Sequence, residues 1–260
     1  MKLISKTLLG TAVGLALAAN AIAAPVLWIG DSRGQLGTVD VATGNAVVIG
    51  NMGHVMTDIA FDPSGNLWGV DGGSLYLINI ATASSTLVGA TGTGFINSLV
   101  FGADGTLYAA GGSLFTLNTS NGAGTVVGAG GNGYNSSGDL AFVGGTLYLS
   151  STAPSADTLW SISTTTGLGA QVGAIGSSGV YGLATADNVT LYGLSGQTVL
   201  SVDTTTGAGA ALVSYGNGLG TAYGTAFRTE SGATVPEPSA LSLLAIALAG
   251  LGFAGRRRKS

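Results

Sequence analysis

A leucine followed by an aromatic residue returns at Leu27-Trp28, Leu67-Trp68, Leu107-Tyr108, Leu147-Tyr148 and Leu191-Tyr192, at steps of 40, 40, 40 and 44 residues. A period of this length restricts a chain to architectures that stack one supersecondary unit many times, because a single unit cannot bury its own apolar face. Three further series keep the same period. Alternating segments start at Leu36, Leu75, Leu114, Leu159 and Val199. Each is closed by a short turn: Thr43-Gly44, Thr82-Ala83, Asn121-Gly122, Thr166-Gly167 and Thr206-Gly207. Glycine takes the positive φ that a tight hairpin needs, so each run reads as strand, turn, strand. Short strands follow around Val47-Val48, Leu87-Val88, Val126-Val127, Val172 and Leu212-Val213. The last series is Ile59-Ala60-Phe61, Leu99-Val100-Phe101, Leu140-Ala141-Phe142, Leu183-Ala184 and Thr225-Ala226-Phe227.

Four strands per period, without helical periodicity, is the pattern of propeller blades, and five copies predict an all-β, five-bladed β-propeller of four-stranded blades. The phase is informative. The chain enters on the strand Val26-Leu27-Trp28-Ile29 and leaves after Thr225-Ala226-Phe227, so the first strand is expected to pair with the last and close the ring. Closure removes the exposed edge that an open row of sheets would leave. A β-solenoid is the structural rival, but its coils repeat over fewer residues. The phrase Ile59-Ala-Phe-Asp-Pro-Ser-Gly-Asn-Leu-Trp68 resembles the NHL-repeat class of propellers. That resemblance implies that the Leu-Ala-Phe strands are innermost and the Val-Val strands outermost.

The two ends follow different rules. Lys2 and Lys6 precede the apolar run Leu8 to Ala19, and Ala21-Ile22-Ala23 offers small residues three apart to a signal peptidase, so 1–23 reads as a signal peptide cut after Ala23. At the other end Pro236-Glu237-Pro238 is followed by the uncharged run Ala240 to Ala254 and by Arg256-Arg257-Arg258-Lys259. The run is apolar all round, as a membrane helix over about 239–255 would be, and the basic cluster 256–259 should stay cytoplasmic. Motif, hydrophobic stretch and basic cluster in this order resemble the PEP-CTERM sorting signal of Gram-negative bacteria. The resemblance implies processing by the membrane protease exosortase near Pro236, Glu237 and Pro238. The expected organisation is therefore a signal peptide over 1–23, a propeller over 24–230, and a linker with the sorting signal over 231–260.

Charge separates these parts. The exported body holds two cations, Arg33 and Arg228, against eleven acids, near −9, although the whole chain carries −4. Such a surface argues against nucleic acid or anionic lipid as a partner, and no nucleic-acid partner is expected. No cysteine is present, so disulfides are excluded in the oxidising compartment the signal peptide implies.

Candidate chemistry is sparse. Gly30-Asp31-Ser32 is similar to the nucleophile block of Gly-Asp-Ser-Leu hydrolases, but Arg33 stands in the fourth place and His54, the only histidine, lies far from the C-terminal position that chemistry needs. Gly128-Ala-Gly130-Gly-Asn-Gly133 fits a dinucleotide pattern on spacing, yet Tyr134-Asn-Ser-Ser-Gly cannot open the helix that would hold a pyrophosphate. Asp62-Pro-Ser-Gly65 and Ala103-Asp104-Gly105 lack the alternating acids of a calcium loop. The insertion Ser151 to Asp157 reads as a surface loop in the third repeat. One group stands out: Asp58 and Asp139 hold the same repeat position before the inner strand, and His54 lies four residues ahead of Asp58. If those strands line the axis, the three define a possible ligand site at the channel mouth, for a sugar hydroxyl or a calcium ion; no metal or catalytic residue is assigned there.

The sequence thus predicts an exported protein held briefly in the inner membrane with its body in the periplasm, then displayed at the cell surface or released outside the cell. PEP-CTERM proteins are associated with exopolysaccharide and biofilm systems, so the resemblance implies a non-enzymatic structural or binding module in that setting. Trp28, Trp68, Trp160 and Tyr134 are possible sugar-stacking faces, although regular strand positions favour packing between blades. The rival reading is a metal-dependent, lactonase-like propeller hydrolase, which requires several ligating side chains at one mouth.

Overall fold

The computed structural model describes residues 25–128, 133–155 and 157–232. The expected signal peptide with Ala21 and Ala23, the motif Pro236-Glu237-Pro238, the apolar span and the cluster Arg256 to Lys259 lie outside the described residues, as do 129–132 of the glycine loop. No α-helix occurs among the described residues, and none of them forms a segment long and apolar enough to cross a membrane as a helix.

Twenty strands form five antiparallel four-stranded sheets. The blade containing the chain start holds β1 (Val26–Asp31), β2 (Gln35–Asp40) and β3 (Ala46–Asn51). The second holds β4 (Asp58–Phe61), β5 (Leu67–Val70), β6 (Ser74–Ile78) and β7 (Ser85–Ala90). The third holds β8 (Ser98–Phe101), β9 (Leu107–Ala110), β10 (Leu114–Leu117) and the short β11 (Gly124–Val126). The fourth holds β12 (Ser136–Val143), β13 (Thr146–Ser151), β14 (Thr158–Ile162) and β15 (Gly169–Ala174). The fifth holds β16 (Val180–Ala184), β17 (Leu191–Ser195), β18 (Thr198–Val202) and β19 (Gly209–Ser214). The last strand, β20 (Ala222–Phe227), joins the first blade beside β1, with Leu27 opposite Phe227 and Trp28 opposite Ala226. The ring closes as the repeat phase predicts.

Strands β4, β8, β12, β16 and β20 contact one another around the axis and are almost wholly buried, whereas β3, β7, β11, β15 and β19 alternate toward solvent. The Leu-Ala-Phe series is therefore innermost. The core divides into five clusters, one per interface between blades, and the Leu-aromatic pair explains how. Successive strand residues face opposite ways. Leu27, Leu67, Leu107, Leu147 and Leu191 each enter the cluster shared with the preceding blade, while the aromatic neighbour packs on the following one. Trp28 meets Phe61 edge-on at 5.4 Å between ring centres, Trp68 meets Phe101 at 6.1 Å, Tyr108 meets Phe142 at 5.7 Å, and Tyr192 meets Phe227 at 5.2 Å across the closure. A buried leucine contributes roughly 1.5–3 kcal/mol, so both members of the repeated pair hold the ring together rather than serve a ligand. Trp28 and Trp68 are interblade residues, and Trp160 is buried beside Tyr134 with its indole N–H on Thr158.

The turn glycines have a second task. Gly50 lies against the Thr82-Ala83 turn, Gly89 against Asn121-Gly122, Gly128 against Thr166-Gly167, Gly173 against Thr206-Gly207, and Ser214 against Gly44. Each outer strand thus receives the hairpin turn of the next blade at a contact with no room for a side chain. The insertion from Ser151 to Asp157 falls in the fourth blade, not the third, and is not merely surface: Asp157 is buried and accepts the N–H groups of Gly179 at 2.8 Å and Val180 at 3.2 Å. The extra length lets the loop reach the inner strand of the fifth blade.

Candidate functional site

Asp58 opens β4 and Asp139 lies within β12, and both are completely buried. Their carboxyl groups adjoin and share a hydrogen bond. Asp58 Oδ2 accepts the Leu99 N–H at 2.6 Å, and its Oδ1 accepts those of Ile59 at 2.7 Å and Thr225 at 3.3 Å. Asp139 Oδ1 accepts the Leu140 N–H at 2.6 Å, while its Oδ2 accepts the Leu183 N–H and the Thr225 hydroxyl, both at 2.8 Å. Ser98 and Ser136 are hydrogen-bonded through their hydroxyls and bridge the third and fourth blades. Together these bonds tie all five inner strands into one clasp.

Burial drives the Asp58 pKa well above its usual value, and the charge of Asp139 pushes it further. Burial likewise raises Asp139 to about 8, against the hydrogen bonds that favour its ionised form. Two adjoining carboxyl groups away from water cannot both ionise cheaply, so the pair retains a proton at neutral pH. The axis is closed here by the backbone as well: a Cβ on Gly224 would stand 2.5 Å from the Cα of Asp58, and one on Gly182 would stand 2.7 Å from Thr225. The aspartates form a plug behind the mouth rather than an open channel lining.

The sequence-predicted trio is not assembled. The structure brings Asp58 and Asp139 together but places His54 over the β5–β6 hairpin. There it stacks on Tyr76 with ring centres 4.7 Å apart, and its Nδ1 is 3.9 Å from Asp71 Oδ2. Asp71 already accepts the Tyr76 hydroxyl at 2.7 Å and the Ser74 N–H at 2.9 Å. Burial pushes the Tyr76 pKa up to about 12, with the Asp71 carboxylate adding to the rise. No group of three or more His, Asp or Glu side chains fit to hold a metal ion occurs among the described residues. Gly30-Asp31-Ser32 is a strand end at the ring closure, where Asp31 is buried and accepts the N–H groups of Arg33, Gln35 and Gly220 at 2.8, 2.8 and 2.7 Å. Asp62 caps its own turn through the Ser64 and Asn66 N–H groups, both at 2.9 Å, and Asp104 does the same with Thr106 at 3.0 Å.

What repeat reasoning missed is the residue one place earlier on each inner strand. Thr57, Asn97, Gly138, Tyr181 and Tyr223, one from each blade, ring a cavity of about 170 Å³ at the axial mouth, with Phe95 at its rim. No charged side chain lines it. Tyr181 and Tyr223 meet edge-on at 5.9 Å, and Phe95 is 69% exposed. Asn97 donates its amide to the Ser136 carbonyl at 3.2 Å, leaving a buried Oδ1 with no partner. The signal was available in the one-residue offset from the Asp58 position, but it carries no conserved type across the repeats.

The opposite end of the axis is different. Glu230 follows β20 and lines a larger cleft of about 440 Å³ with Asp104, Tyr108 and Asn188. Its Oε1 is buried without a partner, and burial, then the charge of Asp139, raise its pKa well above the usual range. β1 starts and β20 ends at this end, opposite the axial mouth.

Comparison with solved structures places the body among propellers of low sequence identity. It is similar to a protein from work on the de novo evolutionary emergence of a symmetrical protein shaped by folding constraints (16% identity, 75% of this chain and 96% of that one, TM-score 0.52). It is similar to a gluconolactonase from Xanthomonas campestris (16%, 78% and 80%, TM-score 0.51) and to a chain of the nidogen/laminin complex (13%, 78% and 80%, TM-score 0.53). Comparison with curated proteins finds no matching sequence. Residues 234–259 match the model of the PEP-CTERM protein-sorting motif. The chain is therefore a five-bladed β-propeller bearing a PEP-CTERM sorting motif, an exported protein anchored at the membrane before exosortase processing.

Proposed function

We propose that this protein is a non-enzymatic binding or structural module, delivered by exosortase to the cell surface or extracellular matrix and associated there with exopolysaccharide. The observation that carries this reading is the fate of the axial acids. Asp58 and Asp139 are the two carboxyl groups that repeat position brings to the axis, and their oxygens are taken by backbone N–H groups and by each other. A metal-dependent hydrolase needs carboxylates free to ligate at an accessible mouth, and here they serve to hold the inner strands. The sorting motif supports delivery outside the inner membrane, and Gly232, the last described residue before it, lines the cleft at the end of the axis opposite the mouth.

The test is fractionation of cells with and without exosortase, and with and without their exopolysaccharide, followed by intact mass. The expected product ends near Pro236-Glu237-Pro238, leaves the membrane only when exosortase is present, and co-sediments with the polysaccharide. A protein that keeps its C-terminal segment in the presence of exosortase would defeat the sorting half of the reading. Unchanged distribution without polysaccharide would defeat the binding half. Calcium-dependent lactone hydrolysis by the purified protein would replace this reading with the lactonase-like one.

A further inference from the structure

The axial mouth is a small neutral cavity to which each of the five blades contributes a residue. We infer that it binds a single neutral pyranose unit, a terminal sugar of a neutral glycan; this rests on the polysaccharide-associated reading and assigns it a site. Size sets the first limit. A cavity of about 170 Å³ is smaller than the roughly 300–1,000 Å³ of ordinary small-molecule sites, and so suits one sugar ring rather than a stretch of chain.

Chemistry sets the second. A pyranose shows C–H groups on its faces and hydroxyls on its edge, so its sites combine aromatic surface with hydrogen-bonding groups. Phe95 presents an exposed ring at the rim, held over Gly72, where a Cβ would stand 2.7 Å from the phenyl ring. Tyr181 and Tyr223 form the opposing aromatic wall, and among the described residues neither hydroxyl has a hydrogen-bond partner. Asn97 adds a buried acceptor that lacks a donor, held in place by its amide bond to Ser136. Thr57 and Ser137 also line the mouth, but their hydroxyls already donate to backbone carbonyls.

Charge sets the third. No cation lines the cavity, and the body carries two cations against eleven acids, so an anionic sugar such as a uronate gains no partner and meets a repulsive field. The site therefore discriminates by omission, favouring neutral over acidic units.

The experiment titrates the full chain in detergent with methyl β-glucoside, methyl β-galactoside and methyl β-glucuronide, followed by saturation-transfer NMR. Saturable binding of at least one neutral glycoside is expected, roughly tenfold tighter than the glucuronide. Phe95→Ala and Tyr223→Phe should each weaken it, roughly fivefold or more, without lowering the melting temperature, because Phe95 is exposed and the Tyr223 hydroxyl is unpaired. Absence of saturable binding to the folded protein, equal affinity in both variants, or preference for the glucuronide would overturn the assignment. Retention of Phe95→Ala on the polysaccharide in the fractionation assay, with glycoside binding lost, would overturn this site as the one responsible while leaving the wider reading intact.

Discussion

Acidification should stabilise this propeller, the reverse of the usual behaviour of proteins rich in ion-paired carboxylates. An acid whose folded pKa is raised binds more protons in the native chain than in the unfolded one. Its contribution is therefore complete below the unfolded pKa and is lost as pH climbs through the folded value. For Asp139 that window runs from 3.8 to about 8, and Asp58 and Glu230 act in the same direction. Each pKa unit is worth about 1.4 kcal/mol, so Asp139 alone sets an upper bound of about 6 kcal/mol. Relaxation around a buried pair cuts such figures, and about 3 kcal/mol is the expected loss between pH 4 and pH 8. At roughly 2–4 °C per kcal/mol for a body of this size, the melting temperature should fall by about 6–12 °C. Below this window the sign reverses. Asp40, Asp104 and Asp203 have pKa values lowered by backbone N–H groups of Ala42, Thr106 and Thr205, so their contribution disappears as pH drops below 3.8. The stability maximum should sit near pH 4. The assay is a thermal melt at half-unit pH steps on wild type and Asp58→Asn. The amide removes one titrating group but turns its NH2 onto a backbone N–H that the carboxylate accepted, so the variant should melt lower at pH 4 and decline less steeply toward pH 8. A wild-type melting temperature that is flat or rises from pH 4 to pH 8 would refute the shared-proton clasp.

Gly89→Ala should destabilise by about 1–3 kcal/mol, since its Cβ would collide with the Asn121 carbonyl, while Gly73→Ala, with open space around it, should change stability by less than about 0.5 kcal/mol; denaturant melts compare them. Asp31→Ala should cost about 1–3 kcal/mol by leaving the Gly220 N–H without its acceptor at the ring closure, and hydrogen exchange should rise first in β1 and β20.

The fold was legible because propeller periodicity is written in the residues that make the interfaces. Leu67 and Trp68 are adjacent in sequence and face opposite blades in space, so one dipeptide repeated five times encodes the whole ring. The closure was legible for the same reason, as the missing partner of Phe227 is the first Leu-Trp strand. The glycine contacts were half legible. Gly122 is visible as a hairpin turn, but nothing in its neighbourhood announces that Gly89, a full strand earlier, must be bare to receive it.

The site was less legible, and the reason is physical. Repeat alignment correctly gathered Asp58 and Asp139, yet an acid on an inner strand reads the same whether it faces solvent or is sealed by amides from three blades. Sealing depends on Thr225 and Leu99, which are distant in sequence, and on Gly224 letting the backbones approach. His54 misled through proximity in sequence: the loop carries it to Tyr76 and Asp71 before the chain turns inward. The clasp and the mouth are consequences of one constraint. A five-bladed ring brings its inner strands so close that the axis must be filled, and the two aspartates satisfy backbone donors there. With the acids used behind the mouth, the residues one place earlier on the five inner strands line it, and these are Thr57, Asn97, Gly138, Tyr181 and Tyr223. Ring closure therefore removes charge from a concave surface to which every blade contributes, which makes that surface suited to an uncharged ligand.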